Sequence, residues 1–340
     1  MTEAAPALRT GRAPGAVSYR PVGTDELAAC AEVWRDGIND YTRRLNQPDV
    51  PAETASLLRL YAHLQSTDPE RFVVATVPAT EADTETGGGE RIVAFASALM
   101  RERLWFLSML FVRPGLQGAG LGRELLARVA PRDGEAAFRA TATDSAQPIS
   151  NALYASAGIV PRIPLLNLIG LPEQPDAFGT LPSGIVPTPF ADLAGDVAGS
   201  GGSGGEGHRR LADAVDTLDR EVLGVAHPAD HRFLRQESRT GWLYHGPDGS
   251  VVAYGYATEA GRVGPVAVRD PALLAPVLGH LTSAVTPRGA FALWLPGSAD
   301  RAVVPALRAG FRLDQFPVLL CWDHPFADLT RYLPISPGLL

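Results

Sequence analysis

The sequence predicts an α/β protein, of the α+β kind, with two tandem domains that each hold a mixed, mostly antiparallel sheet flanked by helices. Three observations predict it. The 340 residues exceed the usual length of one domain. Short apolar strands alternate with amphipathic helical segments along the whole chain. Both halves also repeat one order of strand, turn, helix, strand and helix, closed by Gly158-Ile159 in the first half and by Gly310-Phe311 in the second.

The elements of the first half follow from periodicity and from turn residues. Thr24 is expected to cap the first helix, with Asp25 and Glu26 in its first turn. The polar segment 79–90 ends in three glycines and predicts a flexible hairpin loop. The expected strands are 17–22, 71–77, 91–100, 104–112, 136–143 and 163–169, and the expected helices are 24–38, 52–65, 123–129 and a short one that Gly158 ends.

The segment 112–122, which reads V-R-P-G-L-Q-G-A-G-L-G, is the most informative about function. It joins an apolar strand to a helix, and unpaired N–H groups at a helix N-terminus bind phosphate. Glycines at 118, 120 and 122 remove the Cβ atoms that would keep a pyrophosphate away. No lysine follows the turn, which excludes a P-loop, and the glycine spacing differs from that of a dinucleotide fingerprint.

The pattern Gln117-x-x-Gly120-x-Gly122 resembles the acyl-CoA pyrophosphate loop of the GCN5-related N-acetyltransferases, the GNAT family. The Val-Arg-Pro sequence before the loop is also typical of that family. One strand further on, the segment from Asn151 through Tyr154 to Gly158 resembles the family's N-x-L-Y-x-x-x-G-F motif, with Ile159 in place of the phenylalanine. Two motifs in the family's order, with a strand between them, predict a GNAT domain.

The resemblance implies that acetyl-CoA is the cosubstrate and that a neutral amine attacks its thioester directly. Tyr154 would protonate the leaving thiolate as the general acid. The expected cofactor-binding residues lie on the fourth strand, in the loop and on the short helix: Leu110, Phe111, Val112, Gln117, Gly118, Ala119, Gly120, Leu121, Gly122, Arg123 and Asn151.

The general base stays open. Many relatives carry a carboxylate on the fourth strand, where this chain has Ser108 and Met109. Ser108 could position a water, while Asp144 and Glu102 are alternatives that are expected to be solvated loop charges. A further hypothesis uses the terminal carboxylate of Leu340, because the C-terminal tail is apolar.

The acceptor substrate is expected to be the amine of a small molecule. In this fold the first two helices help to build its pocket, and Trp34, Tyr41 and Trp105 are candidate lining residues. Charges on the first helix, such as Asp36 and Arg44, could set the charge of this pocket.

The second half is expected to be a degenerate GNAT-like domain that does not bind acyl-CoA. Its turn at Val268–Pro271 has no glycine, Asp270 would oppose a pyrophosphate, and Pro271 lacks an N–H group. The predicted organisation is a disordered start over 1–15, a catalytic domain over 16–170, a linker over 171–183, and the degenerate domain over 184–340 with a Gly/Ser-rich insertion at 199–207. The expected elements of this domain are a strand at 184–190, helix 211–223, strands 251–258 and 262–268, helix 272–284, strand 291–295 and helix 301–309.

Composition excludes several other classes. The net charge is −7 and no basic cluster favours nucleic acid. No apolar run approaches the ~18 residues of a membrane span, and no signal peptide is predicted. Cys30 and Cys321 are expected to be reduced, which favours a cytoplasmic protein. The protein is expected to be a monomer or a homodimer. No metal is expected.

Three functions remain open. The first is a small-molecule N-acetyltransferase. The second is an acyltransferase that takes a longer acyl-CoA or a carrier-bound acyl group. The third is a non-catalytic acyl-CoA sensor, which the lack of a fourth-strand carboxylate favours and the presence of Tyr154 opposes. Acetylation of a protein lysine or N-terminus would need an open groove.

Overall fold

The computed structural model describes residues 16–79, 89–194, 204–237, 239–314 and 317–340. The predicted disordered start, most of the predicted hairpin loop and residues 199–203 of the predicted insertion lie outside this range. The chain forms two compact units. Unit 1 holds residues up to Met100 together with Trp105–Ala136, and unit 2 holds Arg101–Leu104 together with Ala137–Leu340.

In its described residues, unit 1 holds four strands and three α-helices, each close to an element that the sequence predicts. Its strands lie in the order β1-β2-β3-β4, and the pairs β1–β2 and β2–β3 are antiparallel. The core is aromatic: the ring of Tyr61 meets Phe72 and Phe95 edge-on at 5.6 and 5.5 Å. The elements are β1 (Ser18–Pro21), α1 (Leu27–Arg44), α2 (Ala55–Thr67), β2 (Phe72–Pro78), β3 (Glu90–Arg101), β4 (Leu104–Val112) and α3 (Leu121–Val129).

The start of the first helix differs from the prediction. Thr24 makes no side-chain cap, because it opens a one-turn 3-10 helix, Thr24–Glu26, ahead of α1. The carboxylate of Glu26 accepts a hydrogen bond from the N–H of Gly23 at 2.7 Å, and Arg20 holds the same carboxylate at 2.6 Å. A charged acceptor fixed by an arginine therefore takes the capping role. The helix also extends beyond the predicted end at Ile38.

Unit 2 is built on a longer, mostly antiparallel sheet. Its order is β5-β13-β6-β11-β10-β9-β8-β7, with β12 beside β6 and β14 beside β10, and β10 and β11 run parallel. The elements are β5 (Phe138–Asp144), α4 (Pro148–Ser156), β6 (Val160–Gly170), β7 (Val186–Pro189), α5 (Phe190–Ala194), α6 (Gly204–Val222), α7 (Pro228–Gln236), β8 (Thr240–His245), β9 (Val251–Ala257), β10 (Arg262–Val268), α8 (Leu274–Ala284), β11 (Phe291–Pro296), α9 (Asp300–Arg308), β12 (Arg312–Leu313), β13 (Val318–Trp322) and β14 (Tyr332–Leu333).

Strands from the two halves of the sequence alternate at the centre of unit 2. Strand β13 lies between β5 and β6, where Leu320 is opposite Ala142 on one side and Ile163 on the other. Strand β6 in turn pairs with β11, with Leu166 opposite Leu295. This pairing explains why the compact units divide at 136/137, inside the predicted catalytic domain 16–170, and not at the predicted linker.

The segments between the predicted domains are structured where they are described. The predicted linker contains a 3-10 turn, Pro175–Phe178, and the Phe178 ring packs 6.0 Å from that of Phe311. Helix α6 begins at Gly204, so the last residues of the predicted insertion are helical. No element is predicted from the sequence in the region of α7 and β8. No described helix has the length and hydropathy needed to cross a membrane.

Candidate functional site

The loop between β4 and α3 has the backbone shape that its glycines predict. Gly115, Gly118 and Gly120 have positive φ angles of 84°, 82° and 89°. Gly120 is the N-cap residue of α3 in the left-handed conformation, and a Cβ atom there would meet nothing within 4 Å. The space above Gly120 is therefore open, and its left-handed backbone is one that residues other than glycine adopt only with strain.

Backbone donors are concentrated in this loop. The N–H groups of Gly118 to Arg123 have no acceptor among the described residues, and the first backbone bond of the helix runs from Glu124 to the carbonyl of Gly120 at 3.1 Å. Leu121 and Leu125 are buried and anchor the helix, while Gly118, Gly120 and Arg123 are exposed. The loop therefore offers an accessible row of N–H groups at the positive end of a helix dipole, which is an anion site.

Gln117 closes the loop against the strand that precedes it. Its side-chain amide donates to the carbonyl of Val112, the last residue of β4, at 3.2 Å. At the same end of β4, Leu110, Phe111 and Val112 are half-buried. The ring of Phe111 stacks on that of Phe95 at 5.8 Å.

Arg113 connects the loop to α1. It pairs with Asp36 and lies 3.5 Å from Glu32 of the same helix. Other charges predicted for the acceptor pocket are also paired, since Arg44 contacts Asp40 at 2.5 Å. The surface charge of α1 is therefore largely neutralised by local partners.

The three candidate acceptor residues lie in different environments. Trp34 and Tyr41 are half-buried on α1. Trp105 is 1% exposed, and its indole N–H donates to the carbonyl of Val129 at 2.8 Å, so it packs in the core of unit 1. Ser108 is buried on β4, further along the strand.

The second predicted motif lies in unit 2, on α4. Gly158 ends this helix with a φ of 82°, as expected. The Tyr154 phenol is buried and hydrogen-bonded to Ser150, and burial raises its pKa well above the ordinary value of a tyrosine. The Asn151 amide donates to the carbonyls of Asp144 and Gln147 at 3.0 and 2.8 Å, while its own buried Oδ1 has no partner among the described residues.

Asp144 differs from the solvated loop charge that the sequence suggests. It is the last residue of β5, opposite Val318 of β13, and desolvation raises the pKa of its carboxyl to about 6. The residue is half-buried, and the strand beside it comes from the far end of the chain, so neighbouring residues in the sequence could not indicate its environment.

The other two candidate bases have structural contacts. Glu102 sits in a tight turn and pairs with Arg220 of α6 at 2.8 Å. The apolar tail is buried in unit 2, where Leu333 of β14 is opposite Val266 of β10.

The corresponding turn of the second half lacks the free donors of the first. The Asp270 carboxylate accepts a hydrogen bond from the N–H of Ala272 at 2.9 Å, and Pro271 has none to offer. A negative charge therefore occupies the place where an anion would bind.

The structure also brings together a buried group that the sequence analysis did not single out: Asp219, His227 and His231. The His-x-x-x-His spacing at 227 and 231 was the available signal, because residues four apart share one face of a helix.

Comparison with known proteins identifies the fold. Residues 34–159 match the family model described as Acetyltransferase (GNAT) family. A search of curated proteins gave no match. A candidate acetyltransferase from Pyrococcus horikoshii superposes with a TM-score of 0.68 at 11% identity, covering 100% of this chain and 99% of its own.

Two further solved structures have the same architecture. A GCN5-related N-acetyltransferase from Sphaerobacter thermophilus gives a TM-score of 0.58 at 18% identity, over 94% of this chain and 100% of its own. A tandem GNAT protein from the clavulanic acid biosynthesis pathway gives 0.50 at 14% identity, over 91% and 99%. At these identities the likeness establishes the fold alone.

Proposed function

We propose that this chain, whose residues 34–159 match the GNAT family model, is an acetyl-CoA-dependent N-acetyltransferase that acts on the amine of a small molecule. The observation that carries the proposal is the row of free N–H groups from Gly118 to Arg123, above a left-handed Gly120. A pyrophosphate carries two negative charges and many acceptor oxygens, and this loop supplies donors and a helix dipole without a Cβ atom in the way.

The rest of the cofactor would extend from the loop along the end of β4. The half-buried backbone of Leu110 to Val112 is the proposed partner of the pantetheine arm, and an N–H there would polarise the thioester carbonyl. The unpartnered Oδ1 of Asn151 is the proposed acceptor for an amide of the same arm.

For the chemistry we propose direct transfer. The amine nitrogen attacks the thioester carbon, the carbon–sulfur bond breaks, and Tyr154 gives its proton to the departing thiolate. Burial raises the pKa of Tyr154, so the phenol is protonated at neutral pH, as a proton donor must be.

Asp144 is the proposed base that accepts the proton of the amine. Its carboxyl, with a pKa of about 6, is ionised at neutral pH and still basic enough to take part in proton transfer. Ser108 is the alternative, as a hydroxyl that positions a water. Trp34 and Tyr41 are the proposed lining of the acceptor pocket.

The test compares two glycine variants by titration calorimetry with acetyl-CoA. Gly120→Glu and Gly134→Glu introduce the same side chain at similar φ angles, 89° and 77°, and neither Cβ meets an atom within 4 Å. Gly134 lies after α3, outside the loop, so it controls for backbone strain and added charge. We expect one acetyl-CoA per chain, with a Kd raised about 100-fold or more only in Gly120→Glu.

An equal effect of the two glutamates, or no binding by the wild type, would refute the assignment of the loop. Titration with longer acyl-CoAs addresses the alternative acyl donors. Tight binding without turnover on any amine would favour the sensor function.

A further inference from the structure

Three side chains in unit 2 direct metal-binding atoms at one point inside the protein. Asp219 lies in the last turn of α6, and His227 and His231 lie at the start of α7. Each is at most 2% exposed. Asp219 Oδ2 lies 2.8 Å from His231 Nε2 and 3.2 Å from His227 Nε2, and the three donor atoms lie within 4.8 Å of one another.

The connection between α6 and α7 fixes this arrangement. The N–H groups of Leu223 and Gly224 both bond to the Asp219 carbonyl, at 2.6 and 3.1 Å, and so close the end of α6. Gly224 has a φ of 80°, and a Cβ there would lie 2.2 Å from the carbonyl oxygen of Phe326, so the turn requires glycine. His227 caps α7, and the ring of His231 lies one turn later with its centroid 4.3 Å from that of His227.

The far side of each imidazole faces another polar group, with a hydrogen bond for His231 and a longer charge contact without a hydrogen bond for His227. His231 Nδ1 lies 2.9 Å from the Tyr256 hydroxyl. His227 Nδ1 lies 3.5 Å from the Asp230 carboxylate, which Arg101 grips with two hydrogen bonds of 2.7 Å. Histidines that ligate metals are typically oriented in this way, with Nδ1 turned to a carboxylate or another polar group and Nε2 turned to the metal.

Charge provides the second argument. The Asp230 carboxylate is neutralised by Arg101. Among the described residues, the Asp219 carboxylate contacts the two imidazoles and the Tyr254 hydroxyl, which donates to its Oδ1. A buried carboxylate needs a nearby cation. That cation is either a proton on one imidazole or a metal ion between the three groups.

A fourth donor is close to the same point. The Tyr332 hydroxyl of β14 lies 3.4 Å from His227 Nε2 and is buried. Two imidazole nitrogens and one carboxylate oxygen are ligands of the kind that zinc takes, and the nearby hydroxyl is in reach of the fourth position.

We propose that Asp219, His227 and His231 bind one zinc ion as a structural site, with Tyr332 as the fourth donor. The ion would join α6, α7 and β14, and so fix the buried C-terminal tail to the helices of the second half. This site is independent of the proposed transferase activity, because none of its residues belongs to the acyl-CoA loop or to the proposed acid and base.

The first experiment measures the metal content of the full chain by mass spectrometry, after growth with added zinc and purification without a metal column. We expect about one zinc per chain. The protein is then unfolded with a chelator, refolded, and titrated with cobalt, which should give the visible absorption of a four-coordinate ion. A chain that carries under about 0.1 equivalent of any first-row metal and gives no cobalt spectrum would overturn the proposal in favour of a protonated imidazole.

Variants then assign the ligands. His231→Gln should lower bound metal at least tenfold, while His280→Gln should leave it unchanged, because His280 is a half-buried histidine of the same unit that bonds to the Tyr244 hydroxyl at 2.9 Å. Tyr332→Phe keeps the ring and should retain metal with an altered cobalt spectrum. Full metal content in His231→Gln would overturn the assignment of this site. If His231→Gln does not fold, the metal content and cobalt spectra of the wild type and Tyr332→Phe decide the question.

Discussion

Asp144→Asn should make the protein more stable at alkaline pH. The pKa of this carboxyl rises from an ordinary 3.8 to about 6 because burial penalises the charged form. A folded-state pKa above the unfolded value means that folding is favoured at low pH and that this contribution is lost as the pH rises through about 6. Asparagine has a similar shape and no charge, so it removes the cost.

The magnitude follows from the shift. A rise of about 2.2 pKa units at 1.36 kcal/mol each corresponds to about 3 kcal/mol once both states are ionised, near pH 8. At pH 4.5 the folded carboxyl is protonated and no charge is buried, so the cost falls to about 1 kcal/mol, that of protonating the carboxyl. We therefore expect Asp144→Asn to gain about 2 kcal/mol more stability at pH 8 than at pH 4.5, as an upper estimate.

Urea unfolding of the wild type and the variant at the two pH values measures this difference. Asp323→Asn is the matched control, because Arg139 holds the Asp323 carboxyl at 2.8 Å and its pKa is lowered, so its loss should destabilise at pH 8. If Asp144→Asn is no more stable than the wild type at pH 8, or gains equally at both pH values, the desolvation argument fails. Lost turnover together with gained stability would fit a base kept in an unfavourable environment for function.

Three further predictions concern single residues. Tyr154→Phe should lower kcat about 100-fold or more with little change in KM, and steady-state kinetics with unchanged kcat would remove Tyr154 from the mechanism. Trp105→Phe should cost about 1–2 kcal/mol in urea unfolding because the carbonyl of Val129 loses its donor, while the KM for the amine stays the same, and a raised KM would instead return Trp105 to the acceptor pocket. Gly224→Ala should lower the Tm by several degrees because its Cβ would overlap the carbonyl of Phe326, and an unchanged Tm would show that the turn can relax.

The sequence predicts best what is local. The loop around Gly120 could be predicted because a strand, glycines and a helix start within a few residues of one another determine its shape. The helix of Tyr154 and Asn151 was predictable for the same reason. The recognition of a tandem GNAT-type chain from these two motifs is confirmed by the family match and by the fold.

What depends on distant partners could not be predicted. Asp144 is half-buried next to β13, a strand that lies far along the chain, so its surroundings could not be predicted from nearby residues. Asp219 meets His231 only because a glycine turn reverses the chain between two helices, and no periodicity reports that turn. The sequence alone makes Trp105 a candidate for the acceptor pocket. Its burial and its hydrogen bond to Val129 show that it packs in the core.

The alternation of strands in unit 2 has a consequence for biosynthesis. Strands β5 and β6 leave the ribosome well before β13, the strand that fills the gap between them, because most of the second half lies between β6 and β13 in the sequence. Until then each presents an unpaired edge, which is the surface through which chains aggregate. The sheet of unit 2 can therefore close only after β13 has been made, and the strands of the first half depend on the second half for their pairing.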